Sequence, residues 1–301
     1  MATSFTNGPE NAGFSPDERM KHILELLDTR EAVTVSELAN RFAVSVVTVR
    51  NDLSELARRG LVARVRGGAR TLQRGQSELA FDIRLRLQAG EKRAIARAAA
   101  AMIGEAEAIA LDCSTSAYYL ARELRDRKEL VVVTNGLLIA EALADAPGIS
   151  VMVIGGMLRA AAMSTVGDIA AETLRHTHIG KGFFGVRGIS VERGLMDLNP
   201  DEVRIKRELA AACEQVVGIF DHTKWARSGL LSFAPTERVT AIVTDTAAPT
   251  DHVDVWRARG VEVVTAEPER PLRQGLDRRR RDPVDDTPHG TMAGGASEQS
   301  A

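Results

Sequence analysis

Ser45, Val47, Thr48, Arg50, Asn51, Ser54 and Arg58 stand close together in the chain, and their side chains are of the types that read DNA. An Asn amide can pair two-pronged with adenine, an Arg guanidinium with guanine, and a Val or Thr methyl can touch the methyl of thymine. Val49, Leu53 and Leu56 have the spacing of a buried helical stripe. At about 100° per residue, the face opposite then carries Val47, Asn51, Ser54 and Arg58, with Thr48 and Arg50 on its flanks. Ser45 is placed to cap the start of this helix, and Gly60 lies near its end. Arg58, Arg59, Arg64 and Arg66 suit phosphates, which set register rather than sequence. From Arg50 to Arg74 seven arginines face only Asp52 and Glu55, although the whole chain has a net charge of -2. The positive charge is therefore local, as an electrostatic footprint should be.

Two further helices are predicted to hold this one. Met20, Ile23, Leu24 and Leu27 recur at i, i+3, i+4 and i+7, so one face of the first is apolar. Thr34 followed by Glu37 reads as a capping box opening the second. Val35, Leu38, Ala39 and Phe42 then form a stripe too short to be stable without neighbours. Leu61 to Arg66, Gly67-Gly68 and Ala69 to Leu72 read as a hairpin wing. Residues 16–72 thus read as a winged helix-turn-helix. The plainer alternative is a three-helix unit whose basic face is merely solvated.

A second set of residues suits an anion. Asp112-Cys113-Ser114-Thr115-Ser116 closes one β-rich run and opens a helical one, offering hydroxyls and backbone N–H groups of the kind that bind phosphate. Thr134-Asn135-Gly136 repeats the arrangement, and Gly155-Gly156 after a third run would let a ligand approach backbone closely. Singly, such residues are ordinary caps and turns; their recurrence at strand ends is the signal. Lys206 and Lys224 are the candidate phosphate partners. For Lys206 the alternative is an exposed i, i+4 pair with Glu202, which is worth only a few tenths of a kcal/mol.

The elements carrying these loops alternate. Strands are predicted at Ala108–Asp112, Leu130–Thr134, Ser150–Ile154, Gly182–Val186, Val216–Asp221, Ala241–Thr244 and Val261–Val264. Helices are predicted at Glu91–Ile103, Ala117–Leu124, Leu137–Leu143 and Asp201–Cys213, the last opened by Asn199 as cap and by Pro200, where a missing N–H is harmless. Such alternation is the habit of an α/β domain with a mostly parallel sheet, here residues 91–267. Gln73 to Gly90 reads as a hinge, with Leu79, Phe81, Ile83 and Leu85 alternating as in an extended segment. Residues 1–15 and 268–301 read as disordered tails, and the Arg278 to Arg281 run as solvated charge.

Composition narrows the class. At 44% hydrophobic and 4% aromatic, the core is one of Ala, Val and Leu, and no apolar run of about eighteen residues predicts a membrane span. Met1 to Ser15 lacks the pattern of a secretion signal. Cys113 and Cys213 lie far apart, which predicts free thiols in a reducing compartment, so a cytoplasmic protein is expected. His176-Thr-His178 has no thiolate or acid trio beside it and is read as surface. Neither metal nor cofactor is expected.

Arg19, Ile23, Leu27, Ser45, Thr48, Val49, Arg50, Asp52 and Leu53 resemble the helix-turn-helix signature of the DeoR-type bacterial transcription regulators. Asn51 departs from the commonest form, where a second basic residue is usual. Asp112 to Ser116, Thr134 to Gly136, Gly155-Gly156, Glu202 to Arg207 and Asp221 to Trp225 look like the effector-sensing domain of the same family, so the resemblance runs from about Asp17 to Val264. It implies a Rossmann-like sheet domain related to sugar-phosphate isomerases, with phosphorylated sugars or related metabolites as signals. The expectation is a repressor of a carbohydrate operon that binds operator DNA as a homo-oligomer, dimer or tetramer. An isomerase-like enzyme with an appended DNA-binding domain is the rival. Against it, Arg187 stands where related isomerases tend to carry acids.

Overall fold

Ser15 opens the first helix with a complete capping box: its hydroxyl accepts from the Glu18 N–H and the Glu18 carboxylate accepts from the Ser15 N–H. The computed structural model describes residues 14–30, 32–58, 61–70, 81–225 and 227–268. Helix α1 (Pro16–Thr29) is followed by strand β1 (Ala32–Thr34), α2 (Val35–Phe42), α3 (Val46–Arg58), β2 (Ala63–Val65) and β3 (Gly68–Arg70). The predicted apolar stripes of the three helices meet in one core, joined by Val33, Val62 and Ala69. At Thr34 only half of the expected box forms. The hydroxyl accepts from the Glu37 N–H at 3.2 Å, while the Glu37 carboxylate turns to the Arg30 guanidinium. The wing also gains a third strand, because β1 pairs with β3 and gives the order β1-β3-β2. Gly67 makes its turn at φ +83°, and Gly68 lets β1 approach, since a Cβ there would sit 2.0 Å from the Val33 carbonyl oxygen.

Phe81–Arg86 is a helix, α4, and not the extended segment that the alternation suggested. Phe81 and Leu85 lie four apart, as do Ile83 and Leu87, so the same spacing makes two apolar faces of one helical turn. Each face has its own neighbour. Ile83 and Leu87 complete the amino-terminal core, whereas the Phe81 ring meets Tyr118 edge-on at 5.8 Å and the Leu85 carbonyl accepts from the Tyr119 hydroxyl at 3.1 Å. Residues 71–80 of the proposed hinge, with Leu79, lie outside the described residues, as do Arg59, Arg74 and almost all of both tails.

The sheet region then runs α5 (Ala89–Ala100), β4 (Ala108–Leu111), α6 (Thr115–Glu123), β5 (Leu130–Thr134), α7 (Leu137–Leu143), β6 (Ile149–Val153), β7 (Met157–Arg159), β8 (Ser164–Val166), α8 (Asp168–Leu174), β9 (Ile179–Phe184), β10 (Gly188–Ser190), β11 (Gly194–Asp197), α9 (Pro200–Ala212), β12 (Cys213–Ile219), β13 (Leu231–Ala234), β14 (Val239–Asp245), α10 (Thr250–Arg257) and β15 (Glu262–Ala266). Seven strands in the order β15-β14-β12-β9-β4-β5-β6 make one sheet, every neighbouring pair parallel. All seven answer to strands expected from the sequence; the short antiparallel pieces β7, β8, β10, β11 and β13, and helices α8 and α10, do not. Asn199 caps α9 as expected, accepting from the N–H groups of Asp201 and Glu202. The chain runs outward from β4 through β5 to β6, then restarts on the other side of β4 with β9. The topological switch point is therefore the β4/β9 junction, where the carboxyl ends of parallel strands leave a crevice.

Candidate functional site

Two places carry the chemistry. The first is α3. Ser45 accepts from the Thr48 N–H at 3.0 Å and exchanges a hydroxyl hydrogen bond with the Thr48 side chain at 2.8 Å, so both are engaged at the helix start. Beyond them Val47 is 63% exposed, and Arg50, Asn51, Ser54 and Arg58 face solvent with it. An exposed aliphatic side chain thus stands beside an amide and a guanidinium on one helix face. Arg58 is held by Glu55 at 2.7 and 2.8 Å on the exposed side, so a phosphate would have to compete with that carboxylate. Arg64 and Arg66 are exposed on the wing. Behind the face, Asp52 is not a counter-charge on the surface as its place among the arginines suggested. It accepts two hydrogen bonds from the Arg19 guanidinium, at 2.8 and 3.1 Å, with both side chains 8% exposed.

The second place is a cavity at the β4/β9 junction. Its wall is made by Ser114, Thr115 and Ser116 after β4, by Gly185, Val186 and Arg187 after β9, and by Asp221, Thr223 and Lys224 after β12. Ser114 caps α6, accepting from the Ala117 N–H at 3.1 Å. The amides of this first turn have no carbonyl further up the helix to bond and point toward its amino end. Asp221 caps the turn His222–Lys224, with the Thr223 N–H at 3.0 Å. Burial pushes its carboxyl pKa up, but the charges of Lys224 and Lys92 outweigh that and hold it below the ordinary value.

Lys206 lies on the wall, yet its ammonium is spoken for. It reaches Asp112 at 2.9 Å, Asp197 at 2.6 Å and the Gly185 carbonyl at 2.9 Å, and sits 5.0 Å from the Phe233 ring centre. Burial lowers its pKa, and the two carboxylates more than reverse this, keeping the ammonium charged. Asp197 is likewise pushed up by burial and pulled further down by Lys206. The exposed pair with Glu202 is absent because Glu202 is buried elsewhere. Its carboxylate accepts from the Ser164 hydroxyl, from Arg159 at 3.3 Å, from the Cys113 thiol at 3.1 Å and from the Asn135 amide at 3.4 Å. Burial and the Glu202 charge hold the Cys113 thiol well above its ordinary pKa.

The expected residues therefore divide. Ser114, Thr115, Ser116, Lys206 and Lys224 share the wall, with Asp112 directly behind it. Asn135 stands one layer back against Glu202, its Oδ1 without a hydrogen-bond partner. Gly136, Gly155 and Gly156 are not on the wall. Gly136 begins α7, and a Cβ there would lie 3.1 Å from the Cys113 Cα; Gly156, at φ +152°, passes so close to the Val166 carbonyl that a Cβ would lie 2.5 Å away. The third loop misses the cavity because β6 is the sheet edge, two strands beyond β4. Asp197, Glu202, Arg84, Lys92 and Arg227 also line the wall, and none is a candidate binding residue from the sequence, where Glu202 enters as a surface partner of Lys206 and within the Glu202 to Arg207 segment. Only Glu202 had a signal, as the first-turn residue of a well-capped helix. Cys113 and Cys213 are free thiols. Among the described residues no helix is long and apolar enough to cross a membrane, and no group of three His, Cys, Asp or Glu could hold a metal ion.

Residues 19–74 match the family model described as DeoR-like helix-turn-helix domain, and residues 87–246 the one described as DeoR C terminal sensor domain. A putative aga operon transcriptional repressor of Escherichia coli O157:H7 is 33% identical over 249 residues, covering 82% of this chain and 93% of the relative. The HTH-type transcriptional regulator GolR of Listeria innocua is 36% identical over 230 residues, covering 76% and 91%. The glycerol-3-phosphate regulon repressor of Escherichia coli K12 is 29% identical over 238 residues, covering 79% and 94%. Ribose 5 phosphate isomerase A from Neisseria gonorrhoeae aligns with 45% of this chain and 52% of its own at 17% identity, with a TM-score of 0.34, a partial likeness too slight to argue from.

Proposed function

Because the chain belongs to the DeoR family of transcription regulators, we propose that it represses a carbohydrate-metabolism operon and leaves its operator when a phosphorylated sugar or related metabolite occupies the cavity at the β4/β9 junction. The observation that carries the effector half is the pairing, on one wall, of the α6 first turn with Lys224. Helix amides and a cation together suit an anion, while the Asp197 and Asp221 carboxylates on the same wall suit the hydroxyls of a polyol. The names of two relatives, the putative aga operon transcriptional repressor and the glycerol-3-phosphate regulon repressor, support the sign, and the second supports a phosphorylated signal. A screen of sugar phosphates and their unphosphorylated parents by thermal shift tests it, since a ligand at a hundred times its Kd adds about 2.7 kcal/mol. No phosphorylated compound outperforming its parent would remove the anion site. Lys224→Ala should leave operator binding in place and raise the effector concentration needed for release at least about tenfold, one lost charge-assisted hydrogen bond being worth roughly 1.5–3 kcal/mol; an unchanged release curve takes Lys224 out of the site.

On the DNA side, α3 enters the major groove with Val47, Thr48, Arg50 and Asn51 toward base edges, and Ser45, Arg58 and Arg66 serve the backbone. Asn51→Ala should cost about 1–3 kcal/mol and relax preference at one base position. Arg66→Ala should weaken every duplex and flatten the salt dependence. Equal losses on all sequences for Asn51→Ala, read by anisotropy titration, would argue against base contact. One short helix makes few contacts, so paired half-sites and a dimer or tetramer acting in the cytoplasm complete the reading; light scattering measures the mass.

Turnover is not part of it. A general base must be able to take a proton, and Asp112 and Asp197 are ion-paired to Lys206 while Glu202 already accepts four hydrogen bonds. Pentose and hexose phosphates should go unisomerised; turnover that Glu202→Gln abolishes would reinstate the enzyme.

A further inference from the structure

We propose that Lys92 couples the cavity to the DNA-binding lobe: its buried ammonium pins α4 by the carbonyls of Arg84 and Leu87, and an anionic group entering the cavity draws that ammonium inward and loosens α4. The proposal rests on the reading of the cavity as an effector site and adds how occupancy is transmitted.

Three observations converge on this lysine. Lys92 belongs to the first turn of α5, is 5% exposed, and donates to the Arg84 and Leu87 carbonyls at the end of α4, where the partial negative charge of a helix C-terminus favours a cation. It also lines the cavity together with Lys224, and both cations act on the Asp221 carboxylate, so an anion beside Lys224 lies in the field of Lys92. The helix it pins is shared between the two regions: Ile83 and Leu87 are part of the amino-terminal core, while Phe81 and Leu85 are held by Tyr118 and Tyr119. Glu25 of α1 lines the same cavity, so the DNA-binding lobe is itself part of the wall.

The competition is between two acceptors for one ammonium. The ammonium is charged in either case, so both kinds of hydrogen bond are charge-assisted; a phosphate oxygen adds the attraction of an opposite charge, which a neutral peptide carbonyl lacks. An effector can alter operator affinity only by binding the two states unequally. An ammonium with two of its N–H donors on the Arg84 and Leu87 carbonyls lengthens those bonds when a charged ligand pulls it, and this supplies the inequality. The Tyr119 bond to Leu85 offers no such choice, because Tyr119 packs against Tyr118 and is not on the cavity wall.

The test measures operator affinity by fluorescence anisotropy on a duplex from the region upstream of the gene, with the full chain, in the presence and absence of glycerol 3-phosphate, glucose 6-phosphate and inorganic phosphate. For wild type the affinity ratio for the effective probe should lie in the usual range of about 5–150-fold. In Lys92→Gln, which keeps N–H donors on a neutral side chain one bond shorter, the ratio should fall to within about twofold of one, while calorimetry still records the probe binding, more weakly. Lys92→Met carries the same expectation, and Lys92→Gln stands alone if the methionine variant does not fold. Tyr119→Phe should keep the wild-type ratio. A wild-type ratio in Lys92→Gln, or an equal loss in Tyr119→Phe, overturns the assignment of Lys92 while leaving the site reading intact. Absence of binding by all three probes to wild type overturns the site reading and this proposal with it.

Discussion

Lys206→Met is expected to cost the sheet region about 3–5 kcal/mol, the penalty for removing one partner of a buried ion pair. Asp112 is fully buried and the Asp197 side chain is 22% exposed, so deleting the ammonium removes the cation that bridges the two carboxylates and leaves the charge of Arg84 acting on Asp197. The indoles of Trp225 and Trp256 lie in the core of this region and are the only two in the chain, so urea unfolding followed by tryptophan fluorescence reports it directly. The pH dependence should weaken. In wild type the depressed pKa of Asp197 contributes stability that is present above its unfolded value and is lost as pH falls through the folded one. In the variant the Lys206 charge no longer offsets the burial that pushes the Asp197 carboxyl up, so protonation costs less and the gap to wild type narrows as pH is lowered from neutrality toward about 5. Adding Asp112→Asn to Lys206→Met should recover part of the loss. A single-variant penalty below about 1 kcal/mol, the size of a surface pair, would be incompatible with the burial drawn here.

That ion cluster marks where sequence reasoning stopped. Local signals carried far: the Ser45 cap, the stripe of Val49, Leu53 and Leu56, Asn199-Pro200, and all seven core strands follow from spacing and cap chemistry that a chain advertises over a few residues. Long-range pairing left no such trace. Lys206 stands four residues from Glu202 in the chain yet bonds Asp112, just after β4, and Asp197, the last residue of β11. Period-two alternation at Phe81, Ile83 and Leu85 reads as strand for a segment with one buried face, but α4 buries two. Gly155-Gly156 resembled the other strand-end loops in composition, and only the strand order shows that β6 carries it away from the cavity. Residue type thus announced which loops could bind an anion, while topology decided which of them meet.

Asp52→Ala should abolish operator binding without removing a contact to DNA. The Asp52 carboxylate lies on the inner side of α3 and holds the Arg19 guanidinium of α1 across 33 positions of sequence. Without it, Arg19 keeps the Phe14 carbonyl at 2.8 Å but remains a buried charge without a counter-ion, at a cost of about 3–5 kcal/mol. That is most of what a small three-helix lobe has to spare, since whole domains are stable by only about 5–15 kcal/mol. The loss should be confined. Amide exchange in α1, α2 and α3 should accelerate by two orders of magnitude or more, taking about 1.4 kcal/mol as tenfold, while tryptophan fluorescence records unchanged urea unfolding of the sheet region. Stabilisation by a phosphorylated effector should persist, because the cavity keeps Ser114 to Ser116 and Lys224. Arg19→Leu combined with Asp52→Leu replaces the pair by apolar groups and should restore much of the protection, as buried pairs often tolerate. If Asp52→Ala instead kept both its operator affinity and its slow exchange, the pair would be an ornament of the lobe, and the orientation of α3 would have to come from the apolar stripe alone.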